Sequence, residues 1–168
     1  MDMLVKLYAL EDDWGFRAKQ ETAGITIRKP MGPEKHLVVE WVTELFGDSW
    51  GSEVDMAMTN RPVSCFFALR NDTIVGFACY DATALGCFGP IGVEEAFRDR
   101  KIGKALLLAC LLDMKNNGYK YAVIGAVGEP VFFNKTVDAL EIPDSTPGLL
   151  SGWLRGDRKH KHPSVFDE

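Results

Sequence analysis

Between positions 103 and 114 apolar side chains stand almost without a break (Ala105, Leu106, Leu107, Leu108, Cys110, Leu111, Leu112, Met114), and Asn116-Asn117-Gly118 stops the run. A helix that is apolar nearly all round cannot lie on a surface, so the rest of the chain must enclose it. Strand-type segments flank it at 87–93 and 121–126. A strand, helix, strand order of this length joins two parallel strands. The expected fold class is therefore α/β, with this helix central and buried.

The remaining segments fill in the sheet. Ile25-Thr26-Ile27-Arg28 alternates with β-branched residues and stops at Pro30, which predicts a strand. A helix is expected from Pro33 to Phe46, with Leu37, Val38, Trp41, Val42, Leu45 and Phe46 on one stripe and Gly47 ending it. A shorter helix is expected over 52–59, closed by Asn60-Arg61-Pro62. Strands at 64–69 and 73–80 form a hairpin about Asn71-Asp72, a pair that tolerates left-handed geometry. Gly89-Pro90 inside the 87–93 strand predicts a bulge, because proline cannot donate to a ladder. Residues 130–137 suit a short helix, and 142–154 suit one or two strands about Pro147-Gly148. Residues 1–24 read as an N-terminal arm, apolar at Leu4 to Leu10, that could pair between subunits of a homodimer. Residues 25–154 form the domain, and 155–168 a charged tail lying loose or on the surface.

Composition removes several functions. Of 168 residues, 46% are apolar and 26% charged, which suits a packed core and not a disordered chain. The longest apolar run, Ala105 to Leu112, is far short of the ~20 residues a bilayer span needs. No membrane partner is expected, and the start of the chain shows no signal peptide, so a soluble, cytoplasmic protein is expected. Cys65, Cys79, Cys87 and Cys110 sit singly in apolar stretches and read as reduced core thiols. A net charge of −5 argues against nucleic acid as a partner and tilts toward cationic ligands. His36 reads as a surface histidine, and His160 and His162 lack the further ligands a metal site needs.

The chemistry concentrates in GPIGVEEAFRDRKIGKALL, from Gly89 to Leu107. There a kinked strand gives way to a charged loop, and Gly103 and Ala105 open the buried helix. Small residues at a helix start let a ligand reach amides that have no intrahelical partner, and the helix dipole favours phosphate there. Arg98, Arg100, Lys101 and Lys104 add positive charge in an otherwise acidic chain. A Walker loop is excluded because Arg98 and Ala105 stand where it requires glycine and a hydroxyl. A dinucleotide fingerprint is excluded because no GxGxxG occurs.

Arg100-Lys101-Ile102-Gly103-Lys104-Ala105 resembles the coenzyme A signature of the GCN5-related N-acetyltransferase (GNAT) family, Gln/Arg-x-x-Gly-x-Gly/Ala. Val93 stands for its strand-ending valine and Phe97-Arg98 for its usual Tyr-Arg pair. The resemblance runs from about Ile25 to Trp153 and includes Gly76-Phe77-Ala78 and Phe132-Phe133-Asn134-Lys135. It implies a mixed, mostly antiparallel central sheet with a splayed parallel strand pair and helices on both faces. It also implies an acyltransferase that moves the acetyl group of acetyl-CoA to a primary amine by direct attack on the thioester. Backbone amides of Arg100, Lys101, Ile102, Gly103, Lys104 and Ala105 would hold the pyrophosphate. Ile91, Gly92 and Val93 would run beside the pantetheine like an added strand, with an amide near Ile91 polarising the thioester carbonyl.

The departures bear on mechanism. Asp99 and Lys101 replace glycines frequent in this loop, and Phe133 falls where many relatives place a tyrosine thought to protonate the leaving thiolate. That last change makes a non-catalytic acyl-CoA-binding or sensing module the rival reading. The acceptor amine needs a base, and a carboxylate serves best when burial raises its pKa. Asp81, expected opposite Phe88 and roughly 10 Å up the strand from Ile91, is one candidate. Glu129, beyond the last core strand, and Glu53, beside Trp50, are the others. Each also suits a solvated or capping role. The acceptor, a small-molecule or peptide amine, is left open among polyamines, aminoglycoside-like amines, amino acids and protein amino termini.

Overall fold

A computed structural model of the chain describes residues 1–154; the expectations for the tail, with His160 and His162, lie outside the described residues. Five helices and seven strands follow in the order β1 (Met3–Lys6), α1 (Gly15–Thr22), β2 (Thr26–Arg28), α2 (Lys35–Phe46), α3 (Asp48–Thr59), β3 (Cys65–Arg70), β4 (Thr73–Tyr80), β5 (Cys87–Val93), α4 (Ile102–Asn116), β6 (Tyr121–Ile124), α5 (Pro130–Val137) and β7 (Leu140–Glu141). The strands make one sheet, β2-β3-β4-β5-β6-β1-β7, antiparallel throughout except for the parallel pair β5 and β6.

Helices cover both faces, and the side-chain alternation of β3 shows how. Phe66 and Ala68 join the core under α4, while Cys65 and Phe67 join the core under α2 and α3. A strand buried on both sides needs no polar alternation, which is why β3 and β4 read as nearly continuous apolar runs. Helix α4 buries Ile102, Leu106, Leu107, Leu111, Leu112 and Met114. Those six side chains contribute roughly 10–20 kcal/mol of transfer free energy before chain entropy is set against it. Gly76 makes the close approach possible, since a Cβ there would meet Leu106 Cδ1 at 3.0 Å and the Gly92 carbonyl oxygen at 3.2 Å.

Three expectations are corrected. Residues 1–24 are no arm: β1 lies inside the sheet between β6 and β7, so its apolar residues pair within the chain and not with a second subunit. Residues 142–154 form no strand; the sheet takes only Leu140–Glu141, and the Pro147-Gly148 region makes a 3-10 turn at Gly148–Leu150. The stripe of α2 is narrower than its sequence, with Val38, Val42 and Phe46 buried but Leu37 and Leu45 exposed. Among the described residues no helix is long and apolar enough to cross a membrane.

The sheet opens where the proline predicts. On β5, Phe88 pairs with Tyr80 and Ile91 with Ala78, so Gly89 and Pro90 stand opposite the single residue Cys79 as a bulge. Beyond it β6 no longer follows β5, whose parallel pairing ends at Phe88 and Ile124. The Glu94 amide donates to the Val75 carbonyl, which fixes the phase of the antiparallel ladder. The amides of Ile91 and Val93 therefore point away from β4, toward the side that β6 has left.

Candidate functional site

Two cavities flank this opening. The smaller, about 320 Å³, lies at the N-terminus of α4 and is walled by Val93, residues 97–99 and 101–104, and by Glu129, Val131, Phe132, Lys135 and Thr136. The larger, about 520 Å³, runs between α3, the bulge of β5, residues 124–129 after β6, Phe133, and the turn carrying Leu149, Leu150 and Trp153. Strand β5 links them, since Val93 lines the first and Ile91, two residues away, lines the second. Glu129 lines both.

The smaller cavity suits a polyphosphate. Helix α4 starts after Lys101, and its first internal bond is from the Ala105 amide to the Lys101 carbonyl, 3.1 Å. The amides of Ile102, Gly103 and Lys104 have no earlier turn to bond to. Gly103 has only Val93 Cγ2 near its missing Cβ, at 3.9 Å, so its bare backbone leaves room that a ligand can take. Arg98, Lys101, Lys104 and Lys135 supply four cations against two carboxylates, Asp99 and Glu129. Asp99 and Lys101 adopt left-handed φ values of 63° and 59°. The loop thus keeps a glycine-type conformation with charged side chains in it, at a cost of about 1 kcal/mol each.

The model of the acetyltransferase (GNAT) family matches residues 35–130, more than half of the chain. The chain belongs to the GNAT family. Solved structures agree on the fold. The GCN5-related glucosamine N-acetyltransferase region of a fungal multi-domain GH3 β-N-acetylglucosaminidase superposes with a TM-score of 0.67 at 12% identity, over 81% of this chain and 19% of that one. A GCN5-related N-acetyltransferase from Sphaerobacter thermophilus gives 0.58 at 23% identity, over 83% and 47%. The ribosomal-protein-alanine N-acetyltransferase of Brucella melitensis gives 0.52 at 17% identity, over 71% and 94%. This chain thus spans less than half of the first two proteins. No curated protein matches it significantly.

Within this GNAT domain the expected cofactor residues separate. Val93, Arg98, Lys101, Ile102, Gly103 and Lys104 line the smaller cavity and Ile91 the larger. Arg100 lines neither cavity: its guanidinium lies over the Phe97 ring, 5.0 Å from the centroid, and its carbonyl accepts from Gln20 Nε2 at 3.0 Å. Ala105 is buried with its amide already bonded within the helix. Gly92 is bare for packing, since a Cβ there would meet the rings of Phe46 and Phe77 at 2.6 and 2.8 Å.

The carboxylates separate as well. Asp81 is corrected: Tyr80, not Asp81, stands opposite Phe88. Asp81 takes a left-handed φ of 52° and accepts from the Gly86 amide at 2.7 Å and from the Tyr119 hydroxyl. It closes the turn and lines neither cavity. Helix α3 begins four residues before the expected position, which puts Ser49, Trp50 and Glu53 on its first two turns along the larger cavity. Burial pushes the Glu53 carboxyl above the usual glutamate range, opposed by a hydrogen bond from the Thr83 hydroxyl. The Cys87 thiol is also pushed up, first by burial and then by the charges of Asp81, Asp2 and Glu53.

Sequence reasoning missed Asp2. Its carboxylate is 6% exposed and accepts from the amides of Ala126 at 3.0 Å and Leu149 at 2.6 Å. A Cβ on Gly148 would lie 2.6 Å from it. Asp2 therefore ties the turn that walls the larger cavity to the loop after β6. No local signal reveals contacts across 124 and 147 positions; an isolated aspartate just before an apolar segment was the only trace.

Proposed function

We propose that the chain is an acetyl-CoA-dependent N-acetyltransferase acting on a primary amine, with acetyl-CoA lying along β5 and the amine entering the larger cavity. One observation carries this reading: a cationic cavity at a helix N-terminus and an apolar, carboxylate-bearing cavity meet along the strand edge that β6 has left. When bound, acetyl-CoA supplies a thioester whose carbonyl carbon accepts the amine nitrogen as the carbon–sulfur bond breaks. The amides of Ile102, Gly103 and Lys104, with Arg98, Lys101, Lys104 and Lys135, hold its diphosphate. The Ile91 amide faces the acyl position, where a fixed donor contributes about 3 kcal/mol in comparable sites.

Glu53 takes the proton of the acceptor. Its raised pKa brings a carboxylate closer to the pKa of the amine it must deprotonate. Glu129, at the junction of the two cavities, is the alternative base. Cys87 is held as a thiol and so is unsuited to carry the acyl group, which favours direct transfer.

A second reading, a module that binds acyl-CoA without turnover, is favoured by Phe133. That ring is 3% exposed and packs edge-on against Phe88 and Phe132. All four tyrosines of the chain lie outside both cavity linings, so no phenol stands by to protonate the departing sulfur.

Thermal stabilisation by acetyl-CoA, followed by assay of CoA release with an amine panel, separates the readings. Stabilisation with release supports the enzyme; stabilisation without release supports the binding module. Gly103→Pro removes one amide at a position where the first helical turn tolerates proline. It is expected to weaken acetyl-CoA binding about 10- to 100-fold with the fold retained. Unchanged affinity would remove the cradle.

A further inference from the structure

We infer that the acceptor is a primary monoamine carried on an aromatic or similarly apolar body, and that it is seated in the larger cavity. The inference rests on the transferase reading above and adds the chemistry of the second substrate. The rings of Trp50, Phe88, Phe133 and Trp153 and the side chains of Leu149 and Leu150 line the wall beyond Ile91. Trp50 is braced by Phe46, stacked at 5.2 Å, and by Phe77, edge-on at 5.9 Å. Such bracing presents a fixed apolar face and lowers the entropic cost of binding a ring.

The polar inventory is short. Ser49, Glu53, Thr83 and Glu129, the indole N–H groups of Trp50 and Trp153 and the Cys87 thiol are the hydrogen-bonding side-chain groups of this cavity, and Thr83 already donates to Glu53. An amino sugar would bring several hydroxyls to a wall lined mostly by apolar residues, and each buried hydroxyl left unpaired is costly. No lysine, arginine or histidine lines the cavity among the described residues. Glu129 also faces the smaller cavity, in the field of Arg98, Lys101, Lys104 and Lys135. Among the described residues Glu53 is therefore the one carboxylate that lines the larger cavity alone, which fits one ammonium and not two. Its partial burial strengthens the attraction to that ammonium while keeping the carboxyl at a raised pKa.

The test is CoA release from acetyl-CoA by the full chain with 2-phenylethylamine, spermidine, glucosamine, lysine and a short peptide with a free amino terminus. 2-Phenylethylamine is expected to give a kcat/KM about tenfold or more above each of the others. Trp153→Ala should lower that value roughly three- to tenfold while the KM for acetyl-CoA stays unchanged. A higher kcat/KM with any other member of the panel overturns the assignment. If no amine turns over, calorimetric titration of 2-phenylethylamine into the CoA-saturated protein decides. Binding weakened by Trp153→Ala supports the assignment, and absence of binding overturns it. Failure of acetyl-CoA to stabilise the protein at all overturns the transferase reading and this inference with it. Stabilisation without the amine preference overturns this inference alone.

Discussion

The smaller cavity is walled by two stretches of chain, 93–104 and 129–136, whereas the larger one needs four, 49–53, 83–91, 124–133 and 149–153. The first gathers backbone amides and four cations about one helix start. The second is made of side chains that only the folded sheet brings together. A site of the first kind keeps its backbone donors through most side-chain substitutions. A site of the second kind changes its selectivity with any shift of one wall. The two cavities should therefore respond to mutation in opposite ways.

The largest expected effect falls on the larger cavity. Glu53→Gln should lower kcat about 10²- to 10⁴-fold, the range for loss of a positioned general base, with acetyl-CoA affinity unchanged. In the wild type the rate should fall at low pH with an inflection above the ordinary glutamate range, and the variant should lack that limb. Stability should move the other way. A carboxyl whose pKa is raised by folding binds its proton more tightly in the folded state, so stability declines as pH rises from the ordinary value through the raised one. Glutamine has no such loss, and thermal melts should show the variant more stable at pH 7 but not at pH 4.

Asp2→Ala comes next. Losing the acceptor for the Ala126 and Leu149 amides should cost about 1–3 kcal/mol in denaturant melts. The KM for the amine should rise as the 148–153 wall loosens, with the KM for acetyl-CoA little changed. Equal changes in both constants would show that the two cavities are not separately built. On the smaller cavity, Lys101→Gly should stabilise the protein by about 1 kcal/mol, because it relieves the left-handed φ of 59°. The same change should weaken acetyl-CoA binding by removing one cation, so chemical denaturation and calorimetry should move in opposite directions.

The smallest effect is a control remote from both cavities. The Arg28 guanidinium pairs with both Glu34 oxygens, at 2.9 and 2.7 Å, and with the Met31 amide it holds the Glu34 carboxyl at about 2. This pair should stabilise the fold by under about 1 kcal/mol. Its contribution is present above the ordinary glutamate pKa and is lost as pH falls toward 2. Glu34→Gln should remove that dependence and leave both substrate constants alone.

Much of this was legible beforehand, for local reasons. The hairpin at Asn71-Asp72, with φ values of 47° and 62°, and the bulge at Gly89-Pro90 follow from residue conformation alone. So does the start of α4, because its capping loop and apolar run are contiguous. The errors came where one residue of register matters. Strand counting puts Asp81 opposite Phe88, but the left-handed Asp81 belongs to the turn and Tyr80 takes that place. The N-terminal segment was misread because its partner strands lie more than 110 residues away.

Sequence by itself determined the enclosed helix, the split beside it and the amides at its mouth, because those depend on neighbours within a few turns of chain. Tertiary structure alone decided which carboxylates line the larger cavity, what Arg100 lies against, that Lys135 joins the smaller cavity, and how Asp2 holds the far wall. Those depend on contacts between distant segments, and no local propensity encodes the register at which such segments meet.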